Sequence, residues 1–77
     1  MIYFCKMQAL GNDFIIINTL ENKFRFSYWE IAKFLCNRKY GIGADGIIFL
    51  ESSRIADYKM RIFNPDGTEA RYVWKWN

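Results

Sequence analysis

Cys5 and Cys36 are the only thiols in this 77-residue chain. A thiol can serve as nucleophile, acid–base group or soft metal ligand once something lowers its pKa. Neither cysteine has a neighbouring histidine or opens a predicted helix, so both read as small packing residues, the ordinary role of a free cysteine. The sequence contains no histidine at all, which excludes a Ser-His-Asp triad and any His-containing zinc site. Two cysteines are also too few for a Cys₄ metal site or a disulfide framework. No catalytic residue and no metal ligand set emerge from these residue types.

Three other features could carry chemistry. Asn12 and Asn64 each fall in a predicted turn beside a predicted strand. Asparagine tolerates positive φ and bonds its own turn, so a purely conformational role is one reading. The other is that their amides face a cleft and hydrogen-bond a polar ligand, as groups at strand ends commonly do. Gly41-Ile42-Gly43-Ala44-Asp45-Gly46 is a glycine-rich loop, but no Lys-Ser/Thr follows it and a strand, not a helix, comes next. It therefore fits a helix-to-strand turn better than a phosphate cradle. The end of the chain, Arg71-Tyr72-Val73-Trp74-Lys75-Trp76-Asn77, mixes basic and aromatic residues, which would suit an edge strand, a disordered terminus or a stacking strip for single-stranded nucleic acid.

The elements that must position these groups follow from the patterning. Residues 2–7 are β-prone, and Gly11-Asn12-Asp13 is turn chemistry. Phe14-Ile15-Ile16-Ile17 reads as a strand buried on both faces. Ser27 with Glu30 forms a capping box, and Tyr28, Ile31, Phe34 and Leu35 recur along one face of a helix predicted over 28–38. Arg38 and Lys39 would close its last turn, and Gly41 would stop it. Strands are predicted over 47–50 and 57–63, followed by the turn Asn64-Pro65-Asp66-Gly67. The predicted order is β-β-α-β-β, an α/β chain of the α+β type, with no internal repeat or linker.

Composition narrows the class further. At 52% hydrophobic residues the chain is too apolar to be intrinsically disordered. Eleven basic against eight acidic side chains give a net charge of +3, a thin footprint for nucleic-acid binding. No apolar run approaches the ~20 residues of a membrane span, and Lys6 breaks the only apolar stretch at the start. A cytoplasmic protein with no membrane or nucleic-acid partner is expected. Aromatic residues make up 19% of the chain, more bulk than so short a core easily covers. Either some faces a partner or part of the fold lies beyond these residues.

Three blocks resemble the diaminopimelate epimerase family. They are Lys6-Met7-Gln8-Ala9-Leu10-Gly11-Asn12-Asp13-Phe14, then Arg38 with the glycine loop 41–46, then Arg61-Ile62-Phe63-Asn64-Pro65-Asp66-Gly67-Thr68-Glu69-Ala70. Their order and spacing agree across 1–70. The resemblance implies part of the N-terminal domain of a two-domain, cofactor-independent isomerase that interconverts LL- and meso-diaminopimelate on the route to lysine. One cysteine from each domain would act as thiolate base or thiol acid on opposite faces of the α-carbon. By position Asn12 and Asn64 match family residues that contact the small-molecule substrate. A proline racemase or a phenazine-biosynthesis-type isomerase is a related alternative, and a nucleic-acid module using the basic aromatic tail is a more distant one. The Gly-Asn-Asp-Phe and Asn-Pro-Asp-Gly blocks favour the epimerase.

Residues 71–77 diverge from the family pattern. After Gly-Ser/Thr-Glu-Ala and one variable residue, the family runs Met-Cys-Gly-Asn-Gly, with the cysteine opening a helix. Here Tyr72, Val73, Trp74, Lys75 and Trp76 occupy those positions, so Val73 stands where the catalytic cysteine is expected. The resemblance therefore implies a chain that is inactive by itself, with strands short of sheet partners and apolar surface prone to aggregation. The genetic code offers an origin for the divergence. Tryptophan has the single codon TGG, so a one-base shift turns Trp74-Lys75-Trp76 into Gly-(Asn or Ser)-Gly, and lets Tyr72-Val73 read Met-Cys. The coding DNA is expected to spell Met-Cys-Gly-Asn-Gly one base out of frame over these codons, and sequencing it decides the matter.

Overall fold

Residues 12–18 and 46–52 both run as β-strands, and they lie side by side in the same direction, Ile15 beside Ile47 and Ile17 beside Phe49. The computed structural model describes residues 3–20, 25–52, 58–70 and 74–76. Within them the elements are β1 (Cys5–Ala9), β2 (Asn12–Asn18), α1 (Tyr28–Leu35), β3 (Gly46–Ser52), β4 (Tyr58–Phe63) and β5 (Trp74–Trp76). They build a single sheet in the order β1-β2-β3-β4-β5. Only the β2–β3 pair is parallel, and the other neighbours are antiparallel. The expected β-β-α-β-β order holds, with β5 added. The strands therefore have partners, contrary to the expectation that they would lack them.

One face of the sheet carries the core. Ile15, Ile17, Ile47 and Phe49 are fully buried against Ile31, Ala32 and Leu35 of α1. The Tyr28 ring stacks on Phe49 at 4.0 Å and 5°, and Phe63 meets both rings edge-on. The buried stripe of the helix is thus 28, 31, 32 and 35. Phe34, expected on that stripe, sits about 100° round the helix from Leu35 and is 62% exposed. The opposite sheet face carries Phe14, Ile16, Ile48, Leu50, Met60 and Ile62, and no helix of the described residues covers it. It holds a groove of about 420 Å³ lined by Met7, Ile16, Ile48, Leu50, Tyr58 and Met60. Phe14 and Ile16 are consequently half-buried, so β2 is not buried on both faces as its apolar run implied.

The helix begins at Tyr28 as expected, but the bonds at both of its ends differ from those the sequence implies. The Ser27 hydroxyl donates to Glu30 Oε1 at 2.8 Å and accepts no backbone N–H of the helix. The helix stops at Leu35, three residues before the expected Arg38. Asn37 Oδ1 accepts the backbone N–H groups of Lys39 and Tyr40 at 2.8 and 3.0 Å, a local bond that competes with continued helix. The N–H groups of Ile42 and Gly43 then return to the Leu35 carbonyl, and that of Ala44 to Cys36, satisfying the open end. At the other turn, Leu10 (φ 53°) and Gly11 (φ 82°) form the two-residue hairpin loop. Asn12 and Asp13 therefore belong to β2 and not to the turn.

This packing predicts two unequal substitutions. Phe49→Ala should cost about 3–5 kcal/mol in urea unfolding, the range for a buried aromatic ring. Phe34→Ala, exposed on the same helix-and-sheet unit, should cost less than about 0.5 kcal/mol. Equal losses would contradict the orientation of α1.

Candidate functional site

Strand direction brings the sequence-derived site residues to one end of the sheet. β2 and β3 both begin there, and β4 ends there, since Ile47 of β3 faces Phe63 of β4. Extending that register by one step sets Asn64 opposite Gly46, which faces Phe14, two residues from Asn12. Asn12 and Asn64 are thus two strand spacings of about 4.8 Å apart across the sheet, with Asn12 offset by two residues along it. Both are exposed. Alternation along β2 puts Asn12 on the side of Phe14, the face that α1 leaves open. Between the two amides the Phe14 ring lies over Gly46, where a Cβ would come within 3.1 Å of it. The arrangement is an aromatic floor flanked by two amides, suited to holding a polar group by hydrogen bonds.

Asn64 is held by its own turn. Its Nδ2 donates to Thr68 Oγ1 at 3.0 Å, and the Thr68 hydroxyl donates to Asp66 Oδ1 at 2.6 Å. Backbone bonds from Asn64 N to Thr68 O and from Gly67 N to Asn64 O close the loop. Gly67 has φ +93°, and a Cβ there would meet the Lys33 stem at 2.9 Å and the Trp29 carbonyl at 3.1 Å. The turn therefore rests directly on α1, and only glycine fits it. Arg61 anchors the outgoing chain with a two-pronged pair to Glu69 at 2.8 and 2.9 Å. The amide of Asn12, by contrast, has no side-chain hydrogen bond among the described residues.

Asp13 and Asp45 belong to this end of the sheet and were not singled out from the sequence. Each carboxylate accepts the other's backbone N–H, Asp13 N to Asp45 Oδ2 at 2.9 Å and Asp45 N to Asp13 Oδ1 at 3.2 Å. Arg38 reaches both, at 3.0 Å to Asp13 and 3.1 Å to Asp45, and Lys6 adds a contact at 3.3 Å. Hydrogen bonds from Arg38 first, then Asp45 and Lys6, hold the Asp13 carboxyl well below the usual carboxylate range. The available signal was a cation and an anion in each of two adjoining motif blocks, Lys6 with Asp13 and Arg38 with Asp45. Arg38 works outside the helix, so its expected place in the last helical turn is replaced by this ion pair.

The cysteines separate. Cys36, at the end of α1, is buried as expected, and burial pushes its thiol up to about 11. Cys5 is exposed, because β1 is an edge strand on which no element of the described residues packs over it. The packing role expected for it does not hold. Cys5 lies opposite Ile16, on the open face, whereas Cys36 packs in the core under α1. Neither occupies a helix N-terminus. Val73 and Tyr72 lie outside the described residues. Trp74–Trp76 forms β5 along β4, the edge-strand reading of the tail. Among the described residues no cluster of three acidic or thiol side chains is gathered for a metal, and no helix is long and apolar enough to cross a membrane.

A single five-stranded sheet with one helix on one face defines an α+β domain. The family profile described as Diaminopimelate epimerase matches residues 4–72. The diaminopimelate epimerase of Caldanaerobacter subterraneus subsp. tengcongensis is 57% identical over 67 residues, covering 87% of this chain and 23% of the relative. That of Carboxydothermus hydrogenoformans is 46% identical over 69 residues, covering 87% of this chain and 25% of the relative. That of Moorella thermoacetica is 41% identical over 85 residues, covering 96% and 30%. The chain belongs to the diaminopimelate epimerase family. It spans about a quarter of the length of these curated relatives.

The ion pairs and the Thr68 hydrogen bonds give the fold a signed pH dependence. Asp13, Asp66 and Glu69 all have folded-state pKa values below the ordinary ones, through Arg38, Thr68 and Arg61 respectively. The unfolded chain then binds more protons than the folded one as pH falls below about 5. The stabilisation is complete above the unfolded pKa and is lost progressively toward the folded values. The urea midpoint should fall between about pH 5 and pH 3, and Asp13→Asn should flatten that fall. An unchanged slope in the variant would remove Asp13 from the account.

Proposed function

We propose that residues 1–70 supply one substrate-contacting wall of a diaminopimelate epimerase, with Asn12 and Asn64 as the contacting amides. The observation that carries the reading is their placement at one end of the sheet, where the Phe14 ring lies over Gly46. A polar amino-acid substrate presents ammonium and carboxylate groups, and a primary amide can accept from one and donate to the other. The chemistry of the parent reaction, removal of a weakly acidic α-proton, requires a thiolate opposite a thiol. The cysteines of this polypeptide do not meet that need: Cys36 is buried under α1 with a raised pKa, and the sheet separates it from Cys5 on the open face. The 77-residue polypeptide is therefore inactive when assayed by itself; in our reading the parent reaction needs no cofactor and the protein is cytoplasmic.

Two measurements test this. Titration of meso-diaminopimelate into ¹⁵N-labelled protein should shift the Asn12 and Asn64 side-chain amides. Asn12→Ala and Asn64→Ala should each weaken binding by about 0.5–1.5 kcal/mol, roughly two- to tenfold. Incubation with LL-diaminopimelate in deuterated water should give no exchange at the α-carbon. Shifts confined to other surfaces would refute the binding role, and α-deuteration by this polypeptide would refute its inactivity.

A further inference from the structure

We propose that Arg38 is a positioning residue for Asn12, acting through Asp13. The inference rests on Asn12 meeting the ligand, as proposed above. Asn12 has no side-chain hydrogen bond of its own among the described residues, so its place is set by the backbone that carries it. That backbone is held from behind. Asp13, the next residue, points to the α1 side of the sheet and exchanges hydrogen bonds with Asp45: Asp13 N donates to Asp45 Oδ2, and Asp45 N donates to Asp13 O at 2.9 Å. This exchange sets two carboxylates side by side, an arrangement that like charges oppose. Arg38 Nη2 lies between them, 3.0 Å from Asp13 Oδ1 and 3.1 Å from Asp45 Oδ1, and with Lys6 at 3.3 Å from Asp13 Oδ2 it balances the two negative charges.

The loop is shaped around the stem of Arg38. Gly43 has φ +85°, and a Cβ there would press on Arg38 Cγ at 3.1 Å and Cα at 3.2 Å. Arg38 itself lies outside α1, and its side chain is 59% exposed, so it contributes little to the core. Its effect is geometric: it joins the start of β2 to the loop that enters β3, the two segments that flank Phe14 and Gly46.

The test is ¹H–¹⁵N NMR on the 77-residue chain and on Arg38→Met, Arg38→Lys and Asp45→Asn. Arg38→Met should move the Asn12 side-chain amide together with the Asp45 backbone amide, and leave Ile31 and Phe49 in place. It should weaken meso-diaminopimelate binding roughly two- to fivefold. Arg38→Lys, which keeps the charge but cannot bridge both carboxylates equally, should restore part of each effect. Asp45→Asn, altered only on the loop side, should still reach the Asn12 side chain, which keeps the proposal testable if Arg38→Met does not fold. An Asn12 amide unmoved by Asp45→Asn or Arg38→Met, with changes confined to residues 43–46, would overturn it. Absence of ligand binding by the unaltered chain, with the joint movement intact, would instead overturn the binding role of Asn12.

Discussion

The parallel pairing of β2 with β3 governs the architecture. Two parallel neighbours cannot be joined by a tight turn, so the chain leaving β2 must travel back the full length of the sheet before β3 begins. Here α1 lies on that return path, and it buries Ile15, Ile17, Ile47 and Phe49 on the face it crosses. The same constraint makes the beginnings of β2 and β3 coincide, and the antiparallel β4 delivers its end to the same place. Asn12, the Phe14 ring over Gly46, and Asn64 meet there as a result of strand direction. The polar end and the apolar layer are two outcomes of one topological choice.

Much of this was legible in the residues. The capping-box position fixed the start of α1, and the glycine loop read correctly as a passage from helix to strand. Local competition defeated the rest. The turn after β1 was assigned to Gly11-Asn12-Asp13 because those residues favour turns, yet a leucine accepts positive φ in the hairpin loop. The helix was extended to Arg38 because cations suit a helix end, but the Asn37 side chain captures the backbone first. Cys5 was read as a packing residue from its apolar neighbours, a pattern that cannot reveal which strand lies at an edge.

The candidate site was half visible for a related reason. Asn12 and Asn64 could be named because each lies in a recognisable motif. The pairing of Asp13 with Asp45 spans 32 residues and depends on two loops meeting, which no local pattern encodes. Its charges nonetheless account for why the two loops stay together. Without a cation between them, two adjacent carboxylates would push the loops apart, and each would leave a backbone N–H in search of another acceptor.

Gly67 ties the Asn64 turn to the helix on the far side of the sheet from the open groove. With the lysine stem and a helix carbonyl against its α-carbon, the turn has no slack in that direction. Any tilt of α1 must carry Asn64 with it, like a pawl following its wheel. The helix that shields the hydrophobic interior is thereby also the ruler against which one of the two amides is gauged.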